Sequence, residues 1–417
     1  MLLDHGEKTD VRDQWGHVTP LMCAVNIGSF DIVKLLLAHG ASPNYTNIDG
    51  KTPLMAAAGN GNLAMVKLLA ANGANVATIE RSTLPPELAH DVSDKSILMW
   101  AVEGCNSKIV SYLLARHAAP NLRDRTGDSV LVYTARTGRT DIFRLLLAHG
   151  AKLDRGRDSY PALSTAIRSN RVSMIDLLLK LHLDPNAHDK VGFTPLIDAA
   201  MQNSTAIVHL LLDRKAIVDA PTHQGETALM LAAYHGANDV IRILLTHGAH
   251  VDARNDRGEA ALILAAQQDQ PETIDLLLKH GAKVDAGDKA NATALFHAAL
   301  QGHPKCVKIL LDRGSNANAG TSFGMLPLAA AASGDGEADM AAMLIDKGAK
   351  VNSVDKDGRT PLMCAAERGK AAFVRLLLAK GASVNLKANS GATALSDAGR
   401  TGHSDVEAML IQAGATR

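Results

Sequence analysis

Only 3% of the residues in this 417-residue chain are aromatic, which argues against platforms on which nucleic-acid bases stack. Charge of one sign is missing as well: 43 basic residues face 43 acidic ones, a formal net charge of zero. A nucleic acid or an anionic membrane as main partner would need a basic excess on one surface, so neither is expected. Cysteine is scarce too. Cys23, Cys105, Cys306 and Cys364 are widely spaced. Cys23 and Cys364 hold equivalent places in an internal repeat, too far apart along a stack to form a disulfide, and reduced core fillers are expected. No apolar run approaches roughly 18 residues and no signal peptide opens the chain. A soluble, cytoplasmic, monomeric protein with no direct membrane insertion is expected.

What the chain has in quantity is one unit repeated about a dozen times. Asp357 to Ala388 shows its logic. Thr360 suits a helix N-cap, because its hydroxyl accepts from a free backbone N–H, and Pro361 suits the first helical position, where its missing N–H costs nothing. Leu362, Ala365 and Ala366 form a short apolar stripe. Gly369 ends this helix in the left-handed region. Phe373, Val374, Leu376, Leu377 and Leu378 then share a face of a second helix, which Gly381 stops. Such a pair has too little apolar area to stand alone and must stack.

The leading leucine of each first helix indexes the repeats: Leu21, Leu54, Leu98, Leu131, Leu163, Leu196, Leu229, Leu262, Leu295, Leu328, Leu362 and Leu395. Most steps are 33 residues, with one of 44, one of 32 and one of 34. The expected organisation is 1–14 as the tail of a truncated repeat, 15–80 as repeats one and two, 81–92 as an insertion loop around Pro85-Pro86, 93–388 as repeats three to eleven, and 389–417 as a polar C-terminal capping repeat. Leu2-Leu3-Asp4-His5-Gly6 reads like the end of a second helix, which points to a fragment, a mis-set start or an uncapped first repeat.

Seven residues after the leading leucine stand Gly28, Gly61, Gly138, Gly236, Gly302, Gly369 and Gly402, or Asn170, Asn203 and Asp269, whose side chains tolerate a positive φ best. Cys105 breaks the pattern. The second-helix stop is His117, His182 and Lys215 in repeats three, five and six, and repeats three to five lack the Thr-Pro start. The stretch from Arg81 to Asp184 is therefore expected to be the least regular and least stable.

The 33-residue period, together with TPLMCAV, TPLMAAA, TALMLAA, TPLMCAA and IVKLLLAHGA, resembles the ankyrin-repeat family over essentially the whole chain. The family's His after Leu is here mostly Met (Met22, Met55, Met99, Met230, Met363), or Ile197, Ile263 and Phe296. The resemblance implies an all-α repeat solenoid of about twelve stacked helix-turn-helix repeats, with β-hairpin turns projecting at right angles and a concave groove.

No enzymatic constellation withstands its context. Gly320-Thr321-Ser322-Phe323-Gly324 matches a nucleophile elbow but is expected in a turn between repeats rather than between a strand and a helix. Asp355-Lys356-Asp357-Gly358 has Cys364 where a calcium loop needs Glu. Asp49-Gly50-Lys51-Thr52 has Tyr45 where a phosphate loop needs Gly. His39, His149, His247 and His280 each precede a helix-ending Gly and complement the helix dipole. No catalytic residue, cofactor or metal site is expected.

A binding surface remains. Met201-Gln202, Tyr234-His235, Gln267-Gln268 and Leu300-Gln301 hold the same two places in repeats six to nine, an uncharged and partly aromatic strip where repeats four, five, eleven and twelve carry arginines. Tyr and Met are favoured at interfaces and charge is depleted at their centres. Trp100 and Tyr133, at matching places in adjacent repeats, form a second candidate that core packing also explains. The expected function is a non-catalytic scaffold that binds an unidentified protein partner through the groove. The alternative is the targeting or regulatory array of a longer enzyme or membrane-associated polypeptide.

Overall fold

The computed structural model describes residues 8–80, 94–155 and 159–416. The first seven residues of the expected tail and the whole insertion loop lie outside them. Threonine sets where the first helices start. Thr19, Thr52, Thr194, Thr227, Thr293, Thr360 and Thr393 each accept from the backbone N–H three residues on, and Ser96 does so in repeat three. Ser129, the N-cap in repeat four, makes no such bond, and its hydroxyl is buried with no partner among the described residues.

Residues 1–189 and 190–417 form two compact units. In the first unit the leading helices are α1 (Pro20–Ile27), α3 (Pro53–Gly59), α5 (Ile97–Glu103), α7 (Val130–Thr137) and α9 (Tyr160–Arg168). They alternate with α2 (Phe30–Ala38), α4 (Leu63–Ala71), α6 (Ser107–Leu114), α8 (Thr140–Ala148) and α10 (Val172–Lys180). In the second unit α11 (Pro195–Met201), α13 (Ala228–Tyr234), α15 (Ala261–Gln267), α17 (Ala294–Leu300), α19 (Pro327–Ser333), α21 (Pro361–Glu367) and α23 (Ala394–Thr401) lead. Their partners are α12 (Thr205–Asp213), α14 (Asn238–Thr246), α16 (Pro271–Lys279), α18 (Pro304–Asp312), α20 (Ala338–Asp346), α22 (Ala371–Ala379) and α24 (Ser404–Gln412). These twelve pairs, among the described residues, are those of an all-α repeat solenoid.

Helices of seven to nine residues are too short to persist in water alone. Each unit therefore packs its leading helices side by side in chain order, with the second helices in a layer behind. All twelve leading leucines are buried, and Ala199, Ala200, Ala232, Ala233, Ala265 and Ala266 are wholly enclosed where leading helices meet. Removing one of these leucine side chains would forfeit about 2–5 kcal/mol. The five methionines that replace the family's His are buried in the same layer.

The turns are held by a backbone ladder rather than by strands. Among the described residues only isolated bridges occur: Ile79 with Ser96, Arg123 with Ser129, and Gly287 with Thr293. Most described turns close on themselves over five residues, as in Thr222 N–H to Glu226 O, 2.9 Å, and Asn255 N–H to Glu259 O, 3.0 Å. Such a turn commonly spends one N–H on the turn before it, as in His223 to Val191 O, Asp256 to Gln224 O, Lys289 to Arg257 O and Ser322 to Ala290 O. One rung per turn leaves no room for a longer strand pair. Ser322 thus lies in an inter-repeat turn, where its backbone serves the ladder.

The left-handed slot outlasts the glycine that usually fills it. Cys105 sits at φ 52°, and His117, His182 and Lys215 at 63–66°, each at roughly 1–2 kcal/mol for an L residue. Three of these four lie in the stretch expected to be least stable. His39, His149 and His247 each hydrogen-bond, through Nδ1 at 2.8–2.9 Å, the carbonyl four residues back, which meets a free acceptor at the helix end.

A further tie runs between repeats from the residue before each second helix. Asn106 donates to Gly61 O, Arg171 to Arg136 O and Arg139 to Cys105 O. In the second unit His303 Nε2 lies 3.3 Å from Gln267 O and His403 Nε2 lies 3.1 Å from Glu367 O. Repeat ten is the extreme case. Its extra residue replaces the usual left-handed stop with Gly334-Asp335-Gly336, and Lys370 Nζ of the next repeat takes the carbonyls of Ala331, Gly334 and Gly336 at 3.0, 2.6 and 2.7 Å.

Candidate protein-binding face

One rule of pairing joins the turns to the leading helices. The residue three before the leading leucine, on the turn, reaches the residue five after it, at the helix end. Lys95 meets Glu103 at 3.0 Å, Gln267 donates to Glu259 at 3.0 Å, and Arg359 meets Glu367 at 2.5 Å. Turns and leading helices therefore share a face, and residues at these places line it.

The strip lies on that face of the second unit. Met201, Tyr234, Gln267 and Leu300 each end a leading helix, and Gln202, His235, Gln268 and Gln301 are the residues just beyond. Since α11, α13, α15 and α17 pack in series, the eight residues follow one another at a single register. Met201 and Tyr234 are 37% and 38% exposed. The Tyr234 and His235 rings meet edge to face at 5.1 Å. Gln202, Gln268 and Gln301 are exposed.

Two members are engaged elsewhere. Leu300 packs, partly buried, against Ala292, Phe296 and Ala330. Gln267 is fastened by its amide to Glu259, and 3.5 Å away stands His297, which bonds Asp288 at 3.0 Å. The strip itself carries no charge, but it rests on the carboxylates of Glu259 and Asp288. Residue-type reasoning missed them, although Glu226 and Glu259 recur at the same place 33 residues apart.

Glu259 is buried, which raises the cost of its charge. Hydrogen bonds from Asn255, Gln267 and Arg257 outweigh that and hold its carboxyl below the usual range. A carboxylate with a folded pKa below its unfolded one contributes stability that is whole above the unfolded value, about 4.3, and lost as pH falls through the folded one. The melting temperature of the second unit is thus expected to drop between about pH 5 and 3, and Glu259→Gln to flatten that drop. Equal slopes for the two proteins would show that Glu259 contributes nothing to it.

In the first unit Tyr133 is buried and Trp100 half-buried. The Tyr133 hydroxyl donates to Asp124 at 2.7 Å, and burial, reinforced by this bond, pushes its pKa well up. The two rings stand in a group of cations: Lys51 lies 3.8 Å and Lys95 4.6 Å from the Trp100 centroid, and Arg136 lies 4.6 Å from that of Tyr133. Glu103 holds Lys95 and, at 2.7 Å, Arg136. Sequence reasoning brought the rings together but not the cations around them.

The fold and this face define a helix-pair repeat protein, each unit of which packs its interior and exposes a chemically varied face. The chain belongs to the ankyrin repeat family: the description "Ankyrin repeats (3 copies)" matches residues 1–79, 98–189, 163–255, 250–321 and 326–416. Such repeats are generally non-catalytic modules of protein–protein interaction. An ankyrin repeat protein of fowlpox virus (strain NVSL) is 31% identical over 87 residues, 21% of this chain and 20% of the viral one. The human "SH3 and multiple ankyrin repeat domains protein 1" is 34% identical over 110 residues, 26% of this chain and 5% of that protein, and its mouse counterpart aligns equally. The chain thus matches only a small part of the length of these relatives. No helix among the described residues is long and apolar enough to cross a membrane.

Proposed function

We propose that this chain is a non-catalytic scaffold that acts as a monomer in the cytoplasm and binds a partner protein on the face shared by turns and leading helices. The strip Met201, Gln202, Tyr234, His235, Gln267, Gln268, Leu300 and Gln301 is its principal contact. The supporting observation is the contrast within α13: Ala232 and Ala233 are fully buried while Tyr234, the next residue, is 38% exposed beside His235. An aromatic side chain on a rigid helix end offers contact area at little cost in conformational entropy.

The double substitution Tyr234→Ala with Gln267→Ala is expected to weaken a captured partner by about 1–3 kcal/mol. Affinity purification with mass spectrometry identifies the partner, and titration with the purified partner measures the change. Because Gln267 also bonds Glu259, the variant's melting curve is recorded alongside. Undiminished affinity in a folded variant would remove the strip. A second reading, a targeting or regulatory array within a longer enzyme or membrane-associated polypeptide, draws support from the human relative, whose name sets ankyrin repeats beside an SH3 domain and of which the match covers 5%.

A further inference from the structure

The turn-to-helix pairing rule fails at one cation. In repeat three Lys95 finds Glu103, and in repeat eleven Arg359 finds Glu367. In repeat two the turn residue is Lys51 and the helix-end residue is Gly59. The space a side chain would take there is filled by the next repeat: a Cβ on Gly59 would sit 3.1 Å from Cε3 of Trp100. The Lys51 ammonium therefore lies over the Trp100 ring, 3.8 Å from its centroid, and makes no hydrogen bond or ion pair among the described residues, whereas its backbone N–H and carbonyl are both bonded to Asn47. Burial pushes its pKa down, helped by Lys95, while the charges of Glu80, Glu103 and Asp49 oppose it without bonding it. A second donor is also unmet, since the indole N–H of Trp100 is buried with no acceptor among the described residues. Beside them Lys95 and Arg136 already share one carboxylate, Glu103.

We propose that this face of repeats two to four seats an acidic peptide segment of a partner protein, one of whose carboxylates pairs with Lys51 on the side of its ammonium away from the Trp100 ring, because that ring fills the place that Glu103 and Glu367 take in their own repeats. The Trp100 and Tyr133 rings flank that seat, and Lys95 and Arg136 extend its positive side along the stack. The inference rests on the reading of the array as a polypeptide binder, but on a patch separate from the strip.

Trp100 reports its own site, because the chain's only other tryptophan is Trp15. In a full-length Trp15→Phe background, Trp100 fluorescence is titrated with a Glu-rich octapeptide and with length-matched Gln-rich, Lys-rich and phosphoserine-containing peptides. A saturable change is expected with the Glu-rich peptide and none with the Gln- or Lys-rich ones. Its affinity should fall with added salt, fall at least tenfold in Lys51→Met, and stay within about threefold in Lys51→Arg. Melting curves establish that both variants are folded. If Lys51→Met does not fold, the peptide and salt series on the Trp15→Phe protein decide. Equal response to the Gln-rich peptide, unchanged affinity in folded Lys51→Met, or response to the phosphoserine peptide alone would overturn the proposal. Tyr234→Ala should leave this titration unaltered, so the two surfaces stand or fall separately.

Discussion

Lys370→Met is expected to lower the stability of the second unit by about 3 kcal/mol, a large change for one side chain. The ammonium of Lys370 is the common donor to three carbonyls at the end of α19. Among the described residues no other ammonium takes three such carbonyls: elsewhere a left-handed residue turns the chain, and a side chain of the next repeat takes a single one, as Arg171 takes Arg136 O and His303 takes Gln267 O. Methionine keeps most of the packing and removes the donor, leaving partly buried acceptors unmet. Burial drives the Lys370 pKa down, with Glu337 and Asp335 opposing it, so the charge is held here at some cost. Denaturant unfolding of the variant against wild type measures the loss. The control is Lys347→Met, which removes an exposed ion pair to Asp312 at 3.0 Å and should change stability by less than about 1 kcal/mol. Equal effects of the two substitutions would refute the special role of Lys370.

Gly104→Ala in the first unit tests a case in which local reasoning and packing give opposite signs. Gly104 has φ −68°, ordinary helical backbone, where alanine is favoured over glycine by about 1 kcal/mol. Packing reverses this. A Cβ at Gly104 would lie 2.3 Å from Ala58 O and 2.9 Å from Gly59 O, so repeats two and three would have to part. A loss of about 2–3 kcal/mol is expected, in the range of overpacked cores. A raised melting temperature would mean that the joint yields easily.

Much of the architecture was legible because its causes are local. Thr360 caps α21 and accepts from Met363 N–H at 3.2 Å, Pro361 stands at its start, and Gly369 and Gly381 take φ of 66° and 85°. Each depends on residues within one turn of helix. The left-handed slot was legible in the same way, down to Asn170, Asn203 and Asp269, and Cys105 obeys it although its side chain is ill suited. The strip was less legible. Register alone located its eight residues on one edge, but not that Gln267 is tied to Glu259 or that Leu300 leans into the core.

By itself, then, the sequence determined the repeat, the helix pairs, their caps and the family, since period and capping chemistry act over a few residues. Tertiary structure alone decided what happens between repeats: the closeness of Gly104 to Ala58, the reach of Lys370 to Ala331 and the placing of Lys51 over Trp100 with no carboxylate bonded to it among the described residues. These partners stand more than 30 residues apart in most cases and meet only because stacking at a constant register lays one repeat's edge against the next. No local rule reports which side chain will arrive there.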